Sequence, residues 1–188
     1  MLSKLLNMDL QEQNLIFELK NPGKRDIAFK KLVDIYHQRI YWHVRKMVID
    51  HDDANDLVQD IFVKIWKNIE KFREESNLFT WVYRIATNEC LNFLAKRKRK
   101  ATFSMEEAGN EADQLLENDP FISGEQVQLK LQKALLKLPD KQRLVFNMKY
   151  FDKMKYEDIS KITKTSVGGL KASYHLAVKK IEEYLLED

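Results

Sequence analysis

The chain has 188 residues, of which 44% are hydrophobic and 32% charged, and its 32 lysines and arginines exceed its 29 acidic residues by three. Five glycines and three prolines are too few for a β-rich architecture, and the single cysteine excludes an internal disulfide and a multi-thiolate zinc site. No apolar stretch reaches the roughly 20 residues of a bilayer span, and the amino-terminal segment turns polar too soon for a signal peptide. We therefore expect a cytoplasmic protein without membrane insertion.

Helical periodicity runs through the first hundred residues, which we predict to form a first domain, residues 1–100. Its first amphipathic segment places apolar residues at three- and four-residue spacing, namely Ile27, Phe29, Leu32, Ile35, Tyr36, Ile40, Val44 and Met47. The acids Asp50, Asp52 and Asp53 then interrupt the pattern and are N-cap candidates for a second helix. That helix repeats the spacing as far as Phe72, and a third runs from about Leu78 into a basic cluster.

The outer face of the second predicted helix combines carboxylates and an amide with a lysine and an uncovered valine: Asp56, Gln59, Asp60, Val63 and Lys67. Such a face suits docking of a basic protein helix, with a desolvated apolar centre and a charged rim. An ordinary solvated face is an equally good interpretation.

The third predicted helix has two opposed faces. At about 100° per residue its apolar stripe is formed by Phe79, Val82, Tyr83, Ala86, Cys90, Phe93 and Leu94. The opposite face, which we expect to point outward, carries Trp81, Arg84, Asn88 and Asn92. Aromatic rings stack on unpaired bases, an interaction worth about 1–3 kcal/mol per base, so this face is a candidate for binding single-stranded nucleic acid. The alternative is that Trp81 packs on the neighbouring "FREESN" loop.

Five consecutive cations end this helix: Lys96, Arg97, Lys98, Arg99 and Lys100. Stabilising the carboxyl end of a helix would need only two of them, so the run favours a polyanion such as a phosphate backbone. The segment that follows has the opposite charge. Between Ala101 and Leu129 there is no lysine or arginine but there are seven acids. We predict an acidic, flexible linker at residues 101–124, and chance composition of a solvated loop is the alternative.

Residues 125–188 are predicted to form a second helical domain of four helices. Its first helix stops at Leu138, before Pro139, which suits the first turn of the next helix. The last two helices have helix-turn-helix spacing, with a turn at residues 163–165 and Ser166 as the cap. The outer face of the last helix suits entry into a DNA major groove, with Gly168, Gly169, Lys171, Ala172, His175 and Lys179 outside. A helical hairpin within a bundle is the alternative.

The order of these segments resembles bacterial RNA polymerase sigma factors of the extracytoplasmic-function (ECF) type. The matching segments are "AFKKLVDIYHQRIYWHVRKMV", "DANDLVQDIFVKIWKNIEKFREESNLFTWVYRIATNECLNFLAKRKRK" and "LPDKQRLVFNMKYFDKMKYEDISKITKTSVGGLKASYHLAVKKIEEYL", which together cover most of residues 25 to 185. The resemblance implies an all-α protein of two small helical domains, which binds core RNA polymerase, selects promoters and has no catalytic activity, cofactor or metal.

The resemblance also implies a role for each surface. The face at Asp56, Gln59 and Asp60 would dock on the clamp helices of the polymerase's largest subunit. The loop beginning at Phe72 and the face of Trp81, Arg84 and Asn88 would capture bases flipped from the melted minus-ten element, with residues 96–100 on the adjacent backbone. The helix-turn-helix would read the minus-thirty-five duplex and contact the flap of the second-largest subunit. Such factors are commonly inhibited by an anti-sigma protein, so we expect one here.

The last helix departs from the family pattern. Gly169, Ser173, Leu176 and Val178 stand where the family often has a threonine and arginines. Readout would then rest on Lys171, His175, Lys179 and DNA shape, or binding of this element is weak.

Two other classes of protein are weighed against this one. A free-standing helix-turn-helix regulator would bind duplex operator without polymerase, as a symmetric dimer, but no dimerising helix is evident. A nuclease would need metal ligands, and the chain's four histidines show no ligand spacing with carboxylates.

Overall fold

The computed structural model describes residues 2–101, 116 and 126–186, and in these residues every regular element is helical. The first half holds four α-helices, α1 (Leu2–Lys20), α2 (Arg25–Val48), α3 (His51–Asn68) and α4 (Leu78–Ala101), with a 3-10 turn at Ile69–Lys71. The second half holds α5 (Gln126–Leu136), α6 (Asp140–Phe146), α7 (Tyr156–Thr163) and α8 (Val167–Leu186), with a π-helical turn at Asn147–Phe151. The predicted all-α fold is confirmed. Most of the predicted acidic linker, residues 101–124, lies outside the described residues, and the domain boundaries stay predictions.

The first hundred residues were predicted to be helical, but no separate helix was assigned before Ile27, where α1 lies. This helix buries Leu15, Ile16 and Leu19 in the core of the first half. The Glu12 carboxylate accepts a hydrogen bond of 2.6 Å from the Leu78 backbone N–H, one of the donors that a helix start leaves unpaired. Helix α1 therefore helps to fix where α4 begins.

The junction between α2 and α3 follows the predicted capping. Asp50 accepts a 2.8 Å hydrogen bond from the Asp53 backbone N–H and is the N-cap of α3. The predicted stripe of α2 was too wide, because Ile27 is 68% exposed and Ile35 is 53% exposed. The packed side of α2 is instead a narrow line of residues about four apart: Ala28, Leu32, Tyr36, Ile40, Val44 and Met47.

The two halves share one hydrophobic core. The main cluster runs through α1–α4 and continues into the second half, where its buried members are Leu144, Val145, Met148, Met154, Ile159, Ile162 and Leu170. A smaller cluster lies within the second half and contains Ala134, Leu135, Leu138, Phe146, Ala177 and Ile181. Helix α7 packs directly on α4. We call residues 2–101 the first body and residues 126–186 the second body.

Candidate polymerase and nucleic-acid interfaces

The outer face of α3 is arranged as its periodicity predicts. The inner side buries Ala54, Leu57, Val58, Ile61, Phe62 and Ile65. Asp56, Gln59, Asp60 and Lys67 are exposed on the other side. Among them Val63 is 49% exposed, so an aliphatic side chain faces solvent inside a ring of charged and amide groups. A desolvated apolar centre with a polar rim is the usual anatomy of a protein interface.

The Trp81 indole on α4 is half-buried and does not stand free. Its ring centroid lies 5.2 Å from that of Phe72 at an interplanar angle of 46°, and the ring packs on the main core. Phe72 itself is only 3% exposed. The expectation that Phe72 contacts a DNA base does not fit this arrangement, because the ring is covered. Its position makes it a support for the indole of Trp81.

Arg84 and Asn88, the next residues on the same face, lie against the second body. The Arg84 guanidinium donates a 2.9 Å hydrogen bond from Nη2 to the Lys161 carbonyl of α7. Asn88 is exposed but lines a cleft of about 90 Å³ between α4 and the second body, together with Thr87, Leu91, Lys141, Leu144, Val145, Thr163 and Thr165. Asn92, one turn further along, is exposed. The four predicted residues share a face, but their accessibility differs.

The basic run at the end of α4 divides into two groups. Lys96, Lys98, Arg99 and Lys100 are exposed, and Arg97 is half-buried. The Lys98 ammonium lies 2.8 Å from Asp140 of the second body, and Arg97 lies 3.3 Å from Asp53 at the start of α3. Four of the five cations in the predicted phosphate-binding run are therefore exposed, while Lys98 among them and the half-buried Arg97 also face carboxylates.

The helix-turn-helix has the predicted geometry. Helix α7 ends at Thr163, Lys164 adopts a left-handed conformation with φ of 54°, and Ser166 accepts a 3.2 Å hydrogen bond from the Gly169 backbone N–H. Helix α8 buries Leu170, Ala177 and Ile181. Its predicted outer residues are all exposed, namely Ser166, Gly168, Gly169, Lys171, Ala172, His175 and Lys179. This face is open along its length.

The two glycines of α8 differ in the space around them. A Cβ at Gly168 would have no neighbour within 4 Å, whereas one at Gly169 would lie 3.2 Å from the Ser166 hydroxyl oxygen. The absence of a side chain at Gly169 therefore leaves room for the cap. At Gly168 the absence of a side chain leaves the backbone exposed to solvent.

A set of buried polar residues between the two bodies was not identified from the sequence. His43 and Thr87 of the first body are 1% exposed, and Arg143 and Asn147 of the second are 5% and 2% exposed. The signal was present in "QRLVFNMKY", where Arg143 and Asn147 fall four residues apart on an otherwise apolar face. A buried charge without a partner is costly, so the position required a partner from elsewhere in the chain.

These residues form a polar contact at the carboxyl end of α2. Arg143 Nη2 donates a 2.9 Å hydrogen bond to the Met47 carbonyl, and Asn147 Nδ2 donates one of 3.3 Å to the Lys46 carbonyl. Burial lowers the pKa of Arg143, while the charge of Asp140 acts in the opposite direction. The carbonyls that a helix end leaves unpaired are here satisfied by the second body.

Asp152 extends this contact. Its carboxylate pairs with Lys46, and its second oxygen lies 3.8 Å from His43 Nδ1, too far for a hydrogen bond. Burial opposes ionisation of Asp152, but Lys46 and His43 more than offset it and hold the pKa of the carboxyl below its ordinary value. His43 Nε2 lies 3.1 Å from the Thr87 hydroxyl, which ties α2 to α4 beneath the contact.

Within residues 2–101 and 126–186 no three histidine, cysteine or acidic side chains come together as a metal site. In the same part of the chain, no helix combines the length and apolar character that crossing a membrane requires.

Two protein-family models match this chain. Residues 32–100 match the family model described as Sigma-70 region 2, and residues 128–181 match Sigma-70, region 4. The region 2 match includes α3 and nearly all of α4, and the region 4 match includes the helix-turn-helix. The chain therefore carries two conserved regions of the sigma-70 class.

Individual proteins similar in sequence to this chain identify the family within that class. The ECF RNA polymerase sigma factor SigW of Bacillus subtilis is 32% identical over 187 residues, covering 95% of this chain and 98% of that one. The RNA polymerase sigma-H factor of Pseudomonas aeruginosa is 27% identical over 183 residues, covering 93% and 94%. The chain belongs to the ECF RNA polymerase sigma factors. It is an RNA polymerase sigma factor, a member of a family of transcription initiation factors.

Two solved structures share its fold. The sigma factor RpoE, in complex with the anti-sigma factor NepR from Bartonella quintana, matches with a TM-score of 0.65 and 26% identity over 85% of this chain and 98% of that one. CnrH, in complex with the cytosolic domain of CnrY, matches with a TM-score of 0.66 over 94% and 98% of the two chains, and at 20% identity this likeness concerns the fold alone.

Proposed function

We propose that this sigma factor divides promoter recognition between its two bodies, with α4 capturing melted minus-ten bases and α8 reading the minus-thirty-five duplex. The observation that carries the proposal is the composition of the outer face of α4. An indole supported by Phe72, a guanidinium and two amides are aligned there, and exposed cations follow. Stacking surfaces beside a positive backbone track are what single-stranded DNA requires.

The α8 face supports the second half of the proposal. Lys171, His175 and Lys179 are exposed on a capped helix whose first turn presents the bare backbone of Gly168. Backbone N–H groups at a helix start attract phosphate, and lysines on the same face add further phosphate contacts. Because no arginine lies on this face, we expect modest base discrimination supplemented by DNA shape.

Polymerase docking is assigned to the outer face of α3. Asp56, Gln59, Asp60 and Lys67 around Val63 would contact the clamp helices of the largest subunit, and the second body would contact the flap of the second-largest. An anti-sigma partner is part of the proposal, because the sigma factor RpoE, which shares this fold, is bound to one. We further propose that the protein acts in the cytoplasm and has no catalytic activity or cofactor of its own.

Runoff transcription tests the proposal directly. Core polymerase with this protein should give discrete promoter-dependent products from a pool of genomic fragments, and core polymerase alone should give none. Failure to produce any such transcript would contradict the proposed function. Tight, sequence-specific duplex binding without polymerase would instead favour a free-standing regulator.

A further inference from the structure

The outer face of α8 carries an apolar side chain that neither the core nor the phosphate contacts proposed above use. Leu176 is 48% exposed, whereas the buried side of the helix is formed by Leu170, Ala177 and Ile181. It lies one helical turn after Ala172, which is also exposed, so the two aliphatic side chains form a row along the helix. Single exposed leucines are common on protein surfaces, so Leu176 has to be judged by its neighbours.

The neighbours of this row suit a polyanion. Lys171, His175 and Lys179 form a second exposed row, again at four-residue spacing. The Lys171 ammonium lies 6.0 Å from the centroid of the Tyr156 ring of α7, and its position on the helix is about 140° from that of Leu176. Lys179 follows Leu176 by three residues, so the leucine is bordered by a cation on its own side. A charged duplex fits such surroundings better than an apolar groove of a partner protein does.

The side chains of α8 limit what this face can recognise on a base. From Val167 to Leu186 the sequence contains no arginine, asparagine or glutamine, the residues that bond guanine and adenine through two hydrogen bonds. In the major groove the base edges present hydrogen-bond donors, acceptors and one apolar group, the C5-methyl of thymine. An aliphatic side chain against a donor or acceptor leaves that group without a partner, whereas against the methyl group it buries apolar surface.

We propose that Leu176, together with Ala172, reads thymine methyl groups in the major groove, so that α8 selects duplexes by thymine. The proposal rests on the proposed function of α8 and names the base feature that this helix recognises. The aliphatic row then contacts base edges, while Lys171 at the side of α7 contacts phosphate. Ala172 and Leu176 are about 6 Å apart along the helix axis, so the thymines should be separated by about two base-pair steps of 3.4 Å.

The first experiment identifies the duplex and then removes single methyl groups from it. The full chain selects from 30-base-pair duplexes randomised at twelve central positions, and thymine should be enriched at one or two of them. The best sequence is then remade with uracil in place of each thymine in turn, which removes the methyl group and keeps every hydrogen-bonding group. At the enriched positions affinity, measured by anisotropy, should fall about fourfold, the factor that burial of one such group provides. Elsewhere it should stay within about twofold.

Substitutions at two exposed leucines assign the preference to a side chain. Leu176→Ala should bind the thymine and uracil duplexes equally within about twofold. Leu186→Ala removes a leucine of the same helix that is 82% exposed and should keep the fourfold preference. Leu176→Ile keeps the apolar volume and should retain a preference for thymine. Because any effect of uracil on duplex shape is common to all variants, the difference between variants isolates the contact between leucine and methyl group.

A methyl group on a different base provides an independent measurement. At the enriched position the T·A pair is replaced by C·G, with either cytosine or 5-methylcytosine, which differ only in the C5-methyl group. The wild type should bind the methylated duplex about fourfold more tightly. In Leu176→Ala the two duplexes should bind alike.

The outcomes separate this inference from the proposed function. If the wild type binds thymine and uracil duplexes equally at every position, or if Leu176→Ala keeps the full preference, methyl recognition is overturned while duplex reading by α8 stands. If no duplex is enriched from the random pool, duplex reading by α8 fails, and the inference fails with it. If Leu176→Ala instead loses binding to core polymerase and keeps its preference for thymine, the leucine belongs to a protein contact.

Discussion

The outer faces of α4 and α8 were predicted by the same reasoning, yet they differ in the folded chain. The α8 face is exposed at every predicted residue. The α4 face is covered at Trp81 by Phe72 and held at Arg84 by α7. Helical periodicity assigns a side chain to a face, but only tertiary packing decides whether that face is free. The comparison teaches that two helix faces with the same periodicity can differ in exposure, since the α8 face is exposed throughout and the second body lies against part of the α4 face.

The largest expected effect is a loss of polymerase binding on substitution of the α3 face. It tests whether polymerase docking is separate from the two surfaces proposed to bind DNA. Asp60→Arg places a cation on the α3 face and should weaken binding to core polymerase by at least about 30-fold, because like charges across an interface cost several kcal/mol. Duplex binding by α8 should be unchanged. Asp34→Arg, the same charge change at an exposed position of α2, is the control. Equal losses in both variants, measured by pull-down with labelled core enzyme, would rule out a specific docking face.

The next effect tests the covered surface. Trp81→Ala should impair strand opening by about 5- to 150-fold, which corresponds to about 1–3 kcal/mol for one stacked base. Permanganate reactivity of promoter thymines measures opening, and gel mobility in the cold measures the closed complex. The closed complex should be nearly unaffected. A variant that loses both equally would show that the indole serves folding alone.

A third prediction concerns the exposed face of α8. Lys171→Ala should weaken duplex binding across all sequences and lower the slope of log affinity against log salt by about one, as expected for one lost phosphate contact. Single-strand capture by α4 should not respond. A selective loss on one sequence with no change in slope would instead assign Lys171 to a base edge.

The smallest effect concerns the start of α8. Gly168→Ala should raise the free energy of unfolding by about 0.5–1 kcal/mol, because alanine is the better helix former and its methyl group meets no neighbour. Gly169→Ala should gain less, since its Cβ would press on the capping hydroxyl of Ser166. Urea denaturation measures both. If Gly168→Ala also weakens duplex binding, the bare backbone at that position approaches the phosphate.

The features that could be predicted from the sequence are those set by residues close together in the chain. The Asp50 cap, the Ser166 cap and the outward placement of Val63 follow from neighbours within four residues, and all are confirmed. The exposed Ile27 and Ile35 were predicted incorrectly, because the width of a buried stripe depends on which helices pack beside it.

The contact between the two bodies could not be predicted in the same way. Periodicity shows that Arg143 and Asn147 lie among apolar residues, but not that their partners are the carbonyls of Met47 and Lys46, which lie 96 and 101 residues away in sequence. For the same reason the hydrogen bond from Arg84 to the Lys161 carbonyl was missed, whereas the contact between Trp81 and Phe72 matches the alternative of packing on the "FREESN" loop. The partner of Arg84 lies 77 residues away in sequence.

The π-helical turn at Asn147–Phe151 has a consequence for how this protein tolerates changes in length. A turn of this kind holds one more residue than regular helical winding allows. Deleting a single residue there would let the segment rewind, rotating the helix before the turn by about a quarter of a revolution relative to the helices after it. The helices before and after the turn could still form after such a deletion, but the buried side chains of Asn147 and Met148, which lie within the turn, would point elsewhere. A change in length at this position would therefore act on the contact between the two bodies.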